Sequence, residues 1–125
     1  MICLDTNYLI LGLTSGSREE GQLIRWNQQG EDFIVPGVVW YEFLCGPVHP
    51  KQVDAMKLLV KDIVPFDELQ AETAALLFNE TGRQRSLRVD AMIAATAMSA
   101  PCPLATNNQA DFGVFCPYGL DLAVV

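Results

Sequence analysis

The chain has 125 residues, of which 50% are hydrophobic and 18% are charged, a composition typical of one compact domain over residues 1–125 and unlike that of a disordered chain. Eight Lys and Arg residues against fifteen Asp and Glu residues give a net charge of −7, which disfavours broad, nonspecific nucleic-acid binding. The positive residues lie in three short stretches, over 18–25, 51–61 and 83–88. A local basic patch is therefore compatible with the composition.

Strand-like and helix-like segments alternate along the chain. The predicted elements, in order, are a strand over 2–4, a helix ending at 29, a strand over 33–35, helices over 37–45 and 50–62, a strand over 63–64, helices over 67–80 and about 86–100, and strands over 104–106 and 122–124. This alternation predicts an α/β fold with a mostly parallel central sheet between two layers of helices. In such folds, functional sites gather at the carboxyl ends of the strands.

The cysteines and the N-terminal residues bear on the compartment. Four separated cysteines without a CxxC pair, together with a single histidine, disfavour a zinc site, and we expect reduced thiols. The apolar N-terminal stretch has no basic leader, contains Asp5, and is too short to cross a bilayer. We therefore expect a cytoplasmic protein without a membrane partner.

Three acidic residues have positions that invite explanation. Asp5 follows the first buried strand, where it would either cap the next helix or face the crevice at the sheet edge. Glu42 lies beside an apolar helical stripe, so it either has a partner such as a metal ion or reaches solvent at the border of the stripe. Asp90 lies near the start of an Ala-rich helix, where the helix dipole alone would favour an anion.

In the inferred topology, all three carboxylates lie at one edge of one sheet. Helix capping, solvent exposure and the helix dipole explain each acid separately, but they do not explain why the three lie together. Carboxylates brought close together repel one another and raise one another's pKa, and a divalent cation relieves that repulsion. Oxygen ligands suit Mg²⁺ or Mn²⁺. The pattern therefore favours a magnesium or manganese site built from Asp5, Glu42 and Asp90.

Four blocks of sequence, LDTNYLI, VWYEFLCG, VDAMIAATA and LATNNQADF, together resemble PIN domains, and within them the VapC-type toxins of toxin-antitoxin pairs. The resemblance covers nearly the whole chain and implies a PIN-like α/β/α sandwich. By position, it implies that Asp5, Glu42 and Asp90 bind metal and that Thr106 is the hydroxyl at a strand end. Thr6, Asn7 and Asn107 would support the site. Where many relatives have a fourth acid, this chain has Asn107 and Asn108, so Asp111 and Asn108 are alternative contributors.

The resemblance implies a Mg²⁺- or Mn²⁺-dependent endoribonuclease that acts on RNA as the toxin of a type II pair, with a cognate antitoxin and a homodimeric state. Phosphate contacts are expected from Arg83, Arg85 and Arg88, which could equally form a solvated loop. The dimer contacts or the core would contain Val53, Met56, Leu59 and Val60.

Two other functions are weighed against the nuclease. A PIN-like module without the fourth acid could bind RNA or protein without turnover. An aspartate-nucleophile phosphatase would need a second acid two residues after Asp5, where Asn7 stands.

Overall fold

The structure is a computed structural model that describes all residues from 1 to 125. Its strands are β1 (Ile2–Leu4), β2 (Phe33–Pro36), β3 (Asp62–Val64) and β4 (Leu104–Ala105), and they form one parallel sheet in the order β3-β2-β1-β4. Its helices are α1 (Thr6–Gly12), α2 (Arg18–Gln28), α3 (Gly37–Cys45), α4 (Pro50–Leu59), α5 (Glu68–Glu80), α6 (Arg88–Ser99) and α7 (Gln109–Gly113). The predicted α/β/α fold with a parallel central sheet is confirmed.

Burial explains why β1 and β2 have no alternating pattern. All three residues of β1 and all four of β2 are buried, as expected for parallel strands that have helices on both faces. The Ala-rich helix α6 buries Ala91, Ile93, Ala94, Ala95 and Ala97, and these small side chains allow it to pack closely against β2, α3 and α5. The start of α6 is thereby fixed relative to the sheet.

Two predicted boundaries are wrong. The helix predicted over 50–62 ends at Leu59, because Val60 is extended and Lys61 N donates a 2.8 Å hydrogen bond to Phe33 O, which draws the chain into β3. The strand predicted over 122–124 is reduced to one parallel bridge between Leu122 and Leu104, after which Val124 is exposed. Its apolar residues resemble a strand, but only Ala123 among them is buried.

The strand order creates a crevice at the carboxyl edge of the sheet. From β1 the chain moves to β2 and β3 on one side, and it later returns to β4 on the other side of β1. The carboxyl ends of β1 and β4 therefore form a topological switch point, the place where α/β folds bind ligands. Asp5 directly follows β1, and Thr106 directly follows β4. None of the helices has the length and apolar composition that crossing a bilayer requires.

Candidate functional site

Asp5 connects the carboxyl ends of β1 and β4 at the switch point. Its side chain is buried, and Asp5 Oδ2 accepts a 2.7 Å hydrogen bond from Thr106 Oγ1. Asp5 Oδ1 accepts a 2.8 Å hydrogen bond from the backbone N–H of Thr6, so the residue also caps α1. The two interpretations of Asp5 that the sequence leaves open are therefore compatible, since one oxygen caps the helix while the other reaches across to β4.

Glu42 lies on α3 and is joined to the same edge by the residue that follows Asp5. Thr6 Oγ1 donates a 2.8 Å hydrogen bond to Glu42 Oε1. The neighbours Val39 and Phe43 are buried, whereas Glu42 itself is exposed. Glu42 is thus at the border of the apolar stripe, and its partner is a threonine hydroxyl, neither water alone nor an arginine.

Asp90 lies in the first turn of α6, above the buried residues Ile93, Ala94 and Ala97 that the sequence predicts on its face. Burial, followed by the charges of Asp5, Asp111 and Glu42, raises the pKa of Asp90 to about 6. Burial also raises the pKa of Asp5, although the hydrogen bonds from Thr106 and Thr6 oppose this shift. Acids from four separate segments of the chain therefore share one electrostatic environment.

The fourth sequence block forms a chain of hydrogen bonds that ends on Asp5. Asn108 Nδ2 donates to Asp111 Oδ2 over 2.9 Å, and the backbone N–H of Asn108 donates to Thr106 Oγ1 over 3.0 Å. Thr106 in turn donates to Asp5. Asp111 and Asn108, the alternative contributors, are thus held together by a hydrogen bond.

The two remaining supporting residues have different surroundings. Asn107 is directed towards α2, where its Nδ2 lies 3.5 Å from Glu19 Oε1. Asn7 lies in the first turn of α1 and is exposed.

The arginines predicted to contact RNA lie beside α5. The guanidinium groups of Arg83 and Arg88 each lie 5.2 Å from the centre of the Phe78 ring, and Arg83 also donates a hydrogen bond to Asn79 Oδ1. Arg85 is exposed in a short 3-10 turn. None of the three is among the groups that shift the pKa of Asp90. Their contact with RNA stays a prediction.

Sequence reasoning did not identify a second set of polar residues near the same edge. Tyr8, Arg18, Gln22 and Arg25 line a cleft that also includes Thr106 and Asn107. The spacing 18, 22, 25 places three of them on one face of α2, a signal that is present in the sequence but not specific by itself. Glu19, next to that face, is buried at the edge of the cleft.

The donor set at the edge suits a hard divalent cation. Asp5, Glu42, Asp90 and Asp111 offer carboxylate oxygens, and Asn108 offers an amide oxygen. No three Asp, Glu, His or Cys side chains of the chain are arranged as a ready cage for a metal ion. Mg²⁺ commonly keeps several waters and uses only one or two protein carboxylates, so the absence of a closed cage is compatible with this ion. Burial is the largest cause of the raised pKa of Asp90, and the charges of Asp5, Asp111 and Glu42 add to it; a cation would relieve this repulsion.

Several solved structures share this fold. A chain of a toxin-antitoxin complex from Klebsiella pneumoniae is 27% identical, with a TM-score of 0.70 and 90% of each chain covered. A chain of VapBC2 from Rickettsia felis, solved bound to a DNA fragment from the promoter, is 18% identical, with a TM-score of 0.77 and 98% of each chain covered. A chain of FitAcB from Neisseria gonorrhoeae is 22% identical, with a TM-score of 0.72, over 99% of this chain and 97% of that one.

No curated protein sequence matches the chain significantly. The family model described as "PIN domain" matches residues 2–113, which include β1, β4 and all four acids of the site. The match covers far more than half of the chain and agrees with the family that the four sequence blocks predict. The chain therefore belongs to the PIN domain family.

Proposed function

We propose that the protein is a Mg²⁺- or Mn²⁺-dependent endoribonuclease that hydrolyses phosphodiester bonds in RNA, acting as one PIN-like domain over residues 1–125. The observation that carries the proposal is the Asp5 carboxylate, buried at the switch point and hydrogen-bonded to Thr106, together with Asp90, whose pKa is raised by burial and by the charges of Asp5 and Glu42. Proteins of the PIN family are generally nucleases, which supports the same reaction.

Each acid has a distinct task in this proposal. Asp5 and Asp90 would hold the cation directly, and Glu42 would hold it directly or through water. Asp111 or Asn108 would complete the site. When bound, a divalent cation lowers the pKa of a coordinated water and stabilises negative charge on the phosphate. The chain itself supplies the orientation, since Thr106 fixes one oxygen of Asp5 and Thr6 fixes one oxygen of Glu42.

We also propose that the protein is the toxin of a type II pair and that it binds a cognate antitoxin. Support comes from the similar structures, which are described as a toxin-antitoxin complex and as VapBC and FitAB assemblies. The net charge of −7 favours a basic segment in such a partner. Its homodimeric state and its cytoplasmic location stay predictions.

The decisive experiment is a cleavage assay on single-stranded RNA with Mg²⁺, with Mn²⁺, and with a chelator. We expect cleavage only with the added metal, and we expect Asp5→Asn and Asp90→Asn to abolish it while both variants still unfold cooperatively. Variants purified in parallel control for contaminating ribonuclease. Cleavage in the chelator, or undiminished cleavage by Asp5→Asn, would contradict the mechanism.

A catalytically inactive module that binds RNA or protein is the second candidate. It is favoured by one observation, namely that Asn107 and Asn108 occupy the place where many relatives have the fourth acid. RNA binding by the wild type without cleavage under any metal would support this candidate and exclude the nuclease.

A further inference from the structure

Beside the acids, a polar cleft of about 470 Å³ opens between α2 and the end of β4. Its size falls in the range of small-ligand sites, roughly 300–1,000 Å³. Arg18, Gln22 and Arg25 line it from one face of α2, and Asn107 and Gln109 line it from the other side. It also includes Thr106, the residue that holds Asp5, so the cleft and the acids share a wall.

The two arginines in this cleft have little negative charge to neutralise them. Arg25 donates a 2.7 Å hydrogen bond to the neutral amide oxygen of Gln22 and forms no ion pair. Arg18 has only a long contact, 3.8 Å from its Nε to Glu19 Oε1, and its side chain is 82% exposed. Glu19 is the acidic side chain in contact with Arg18, and it is also turned towards Asn107. Val125 lines the cleft as well. Guanidinium groups without a close carboxylate partner are suited to bind an oxyanion.

Tyr8 provides a second, independent sign of a ligand. The residue is only 4% exposed, and its ring packs against Trp26 with 5.9 Å between ring centres. The hydroxyl of Tyr8 forms no hydrogen bond with any group of the chain. Every fully buried side-chain oxygen of the chain does have a partner, so this hydroxyl is not fully buried. The hydroxyl must therefore face the open cleft. Burial and the charge of Glu19 raise the pKa of Tyr8, and the charges of Arg18 and Arg25 oppose this shift, so both arginines lie near this ring.

We propose that this cleft, defined by Tyr8, Arg18, Gln22, Arg25, Asn107 and Gln109, binds a backbone phosphate of the RNA strand next to the one held at the acids. The inference rests on the proposed function, because it assigns the second cleft to the same substrate. A single strand carries a phosphate at every nucleotide, so a strand that crosses the acids must place a neighbouring phosphate nearby. The chain as a whole repels RNA through its charge of −7, which makes a local pair of arginines necessary for binding.

The test is the affinity of a short fluorescent single-stranded RNA, measured by anisotropy in chelator over a series of salt concentrations. The double variant Arg18→Gln/Arg25→Gln should bind roughly tenfold more weakly, and the slope of log affinity against log salt should fall by about 0.7, the value for one lost phosphate contact on a single strand. The matched control Lys51→Gln/Lys57→Gln has the same net charge and alters two exposed residues of α4, so it should bind like the wild type. Tyr8→Phe keeps the ring on Trp26 and should weaken binding by about two- to threefold.

Equal RNA affinity for the Arg18→Gln/Arg25→Gln protein and the wild type would overturn the proposal, as would equal losses in that variant and the lysine control. A Glu-rich peptide is measured in parallel, and a variant that loses the peptide while keeping RNA would also overturn it, in favour of a peptide site. Because anisotropy in chelator measures binding alone, the result does not depend on whether the protein cleaves RNA when metal is added. If the Arg18→Gln/Arg25→Gln variant binds RNA more weakly as expected but the wild type never cleaves RNA with metal, the phosphate-binding cleft is supported and the nuclease proposal is refuted.

Discussion

The hydroxyl of Thr6 donates a hydrogen bond to Glu42 Oε1 over 2.8 Å, which connects the residue after β1 to the acid of α3. Glu42 is exposed and has no other hydrogen-bond partner in the chain, so its orientation depends on this contact. The hydrogen bond therefore positions one acid relative to the neighbouring Asp5 without contributing much to folding.

The first prediction follows from that hydrogen bond. Thr6→Val removes the hydroxyl and keeps the branched shape, so it should change the free energy of unfolding by less than about 1 kcal/mol, since the bond is exposed. The concentration of Mg²⁺ that gives half-maximal cleavage should rise severalfold because Glu42 becomes free to rotate. Thr6→Ser is the matched control and should restore it. A Thr6→Val protein with unchanged metal dependence would show that Glu42 does not need to be held.

Asp90→Asn should stabilise the metal-free protein at pH 7. Burial and the acids around it raise the pKa of Asp90 to about 6, above the value near 3.9 that is usual in an unfolded chain. The folded state thus binds the Asp90 proton more tightly, so the contribution of Asp90 to stability is present below about pH 4 and is lost as pH rises through 6. Allowing for solvent screening of a partly exposed group, we expect a gain of about 1 kcal/mol in urea unfolding.

The pH dependence supplies the control for that result. At pH 4 the gain from Asp90→Asn should be clearly smaller than at pH 7, because Asp90 is then protonated in the folded wild type and about half protonated in its unfolded chain. The affinity for Mg²⁺ should fall as pH drops through 6, since a metal ligand must lose its proton before it binds. A gain in stability that is the same at pH 4 and pH 7 would mean that charge repulsion is not its cause.

Asp5 is expected to respond differently from Asp90. Asp5→Asn can still accept the hydrogen bond from the Thr6 N–H, because Asn is a good N-cap residue, so the free energy of unfolding should stay within about 1 kcal/mol of the wild type. Asp5→Ala removes the cap and leaves Thr106 without its acceptor, which should cost about 2 kcal/mol. Cleavage should be lost in both variants. Thermal or urea unfolding separates the structural part of the role from the chemical one.

Asp111→Asn should reduce cleavage less than Asp5→Asn or Asp90→Asn. Asp111 is exposed and already accepts a hydrogen bond from Asn108, so much of its charge is solvated. A fall of about tenfold in kcat/KM is expected, corresponding to about 1.4 kcal/mol of transition-state stabilisation. Complete loss of activity would instead make Asp111 an essential fourth acid. Measuring Asn108→Ala beside it would show which of the two alternative contributors matters.

The dimer prediction needs a different surface from the one that the sequence suggests. Met56 and Val60 are buried in the core, and Leu59 and Val53 pack against it, whereas Leu58 on the same helix is 90% exposed. Light scattering should give twice the chain mass of 13.8 kDa for the wild type. Leu58→Lys should shift it towards the monomer if α4 forms the contact.

Leu69→Lys is the matched control for that substitution, because Leu69 is 59% exposed on α5 and the charge change is the same. It should remain dimeric. A wild type that stays at 13.8 kDa at micromolar concentration would contradict the dimer prediction altogether.

The sequence predicts the buried parts of the molecule well because their periodicity follows directly from burial. Asp5, Asp90 and Thr106 each lie at the end of a strand or the start of a helix, where the alternation of elements is informative. The same reasoning offered a helix capped by Asp5 only as an alternative and gave α1 no bounds, because its apolar run of Tyr8 to Leu11 has no polar face. Glu42 was expected among apolar neighbours, yet its partner Thr6 lies 36 residues away in the sequence, which no local pattern reveals.

The surface features were less predictable for a related reason. Arg83 and Arg88 are close to Asp90 in sequence, but a side chain on a helix start can point away from its neighbour, and both instead lie over Phe78. Arg18 and Arg25 are far from every acid of the site along the chain, and only the packing of α2 beside α1 brings them to the end of β4. Proximity in sequence is a poor guide to which charges share a cleft.

The contact between Asp5 and Thr106 joins residues that are 101 positions apart. During translation, the N-terminal acid leaves the ribosome long before the threonine that fixes it has been synthesised, and closing so long a segment is among the slower steps of folding. The nascent protein therefore carries its first acid without the partner that orients it. A product that stops before Leu104 has no β4 at all, and its Asp5 can never acquire this hydrogen bond. Asp5 therefore acquires its orienting hydrogen bond only after β4 and Thr106 have been synthesised.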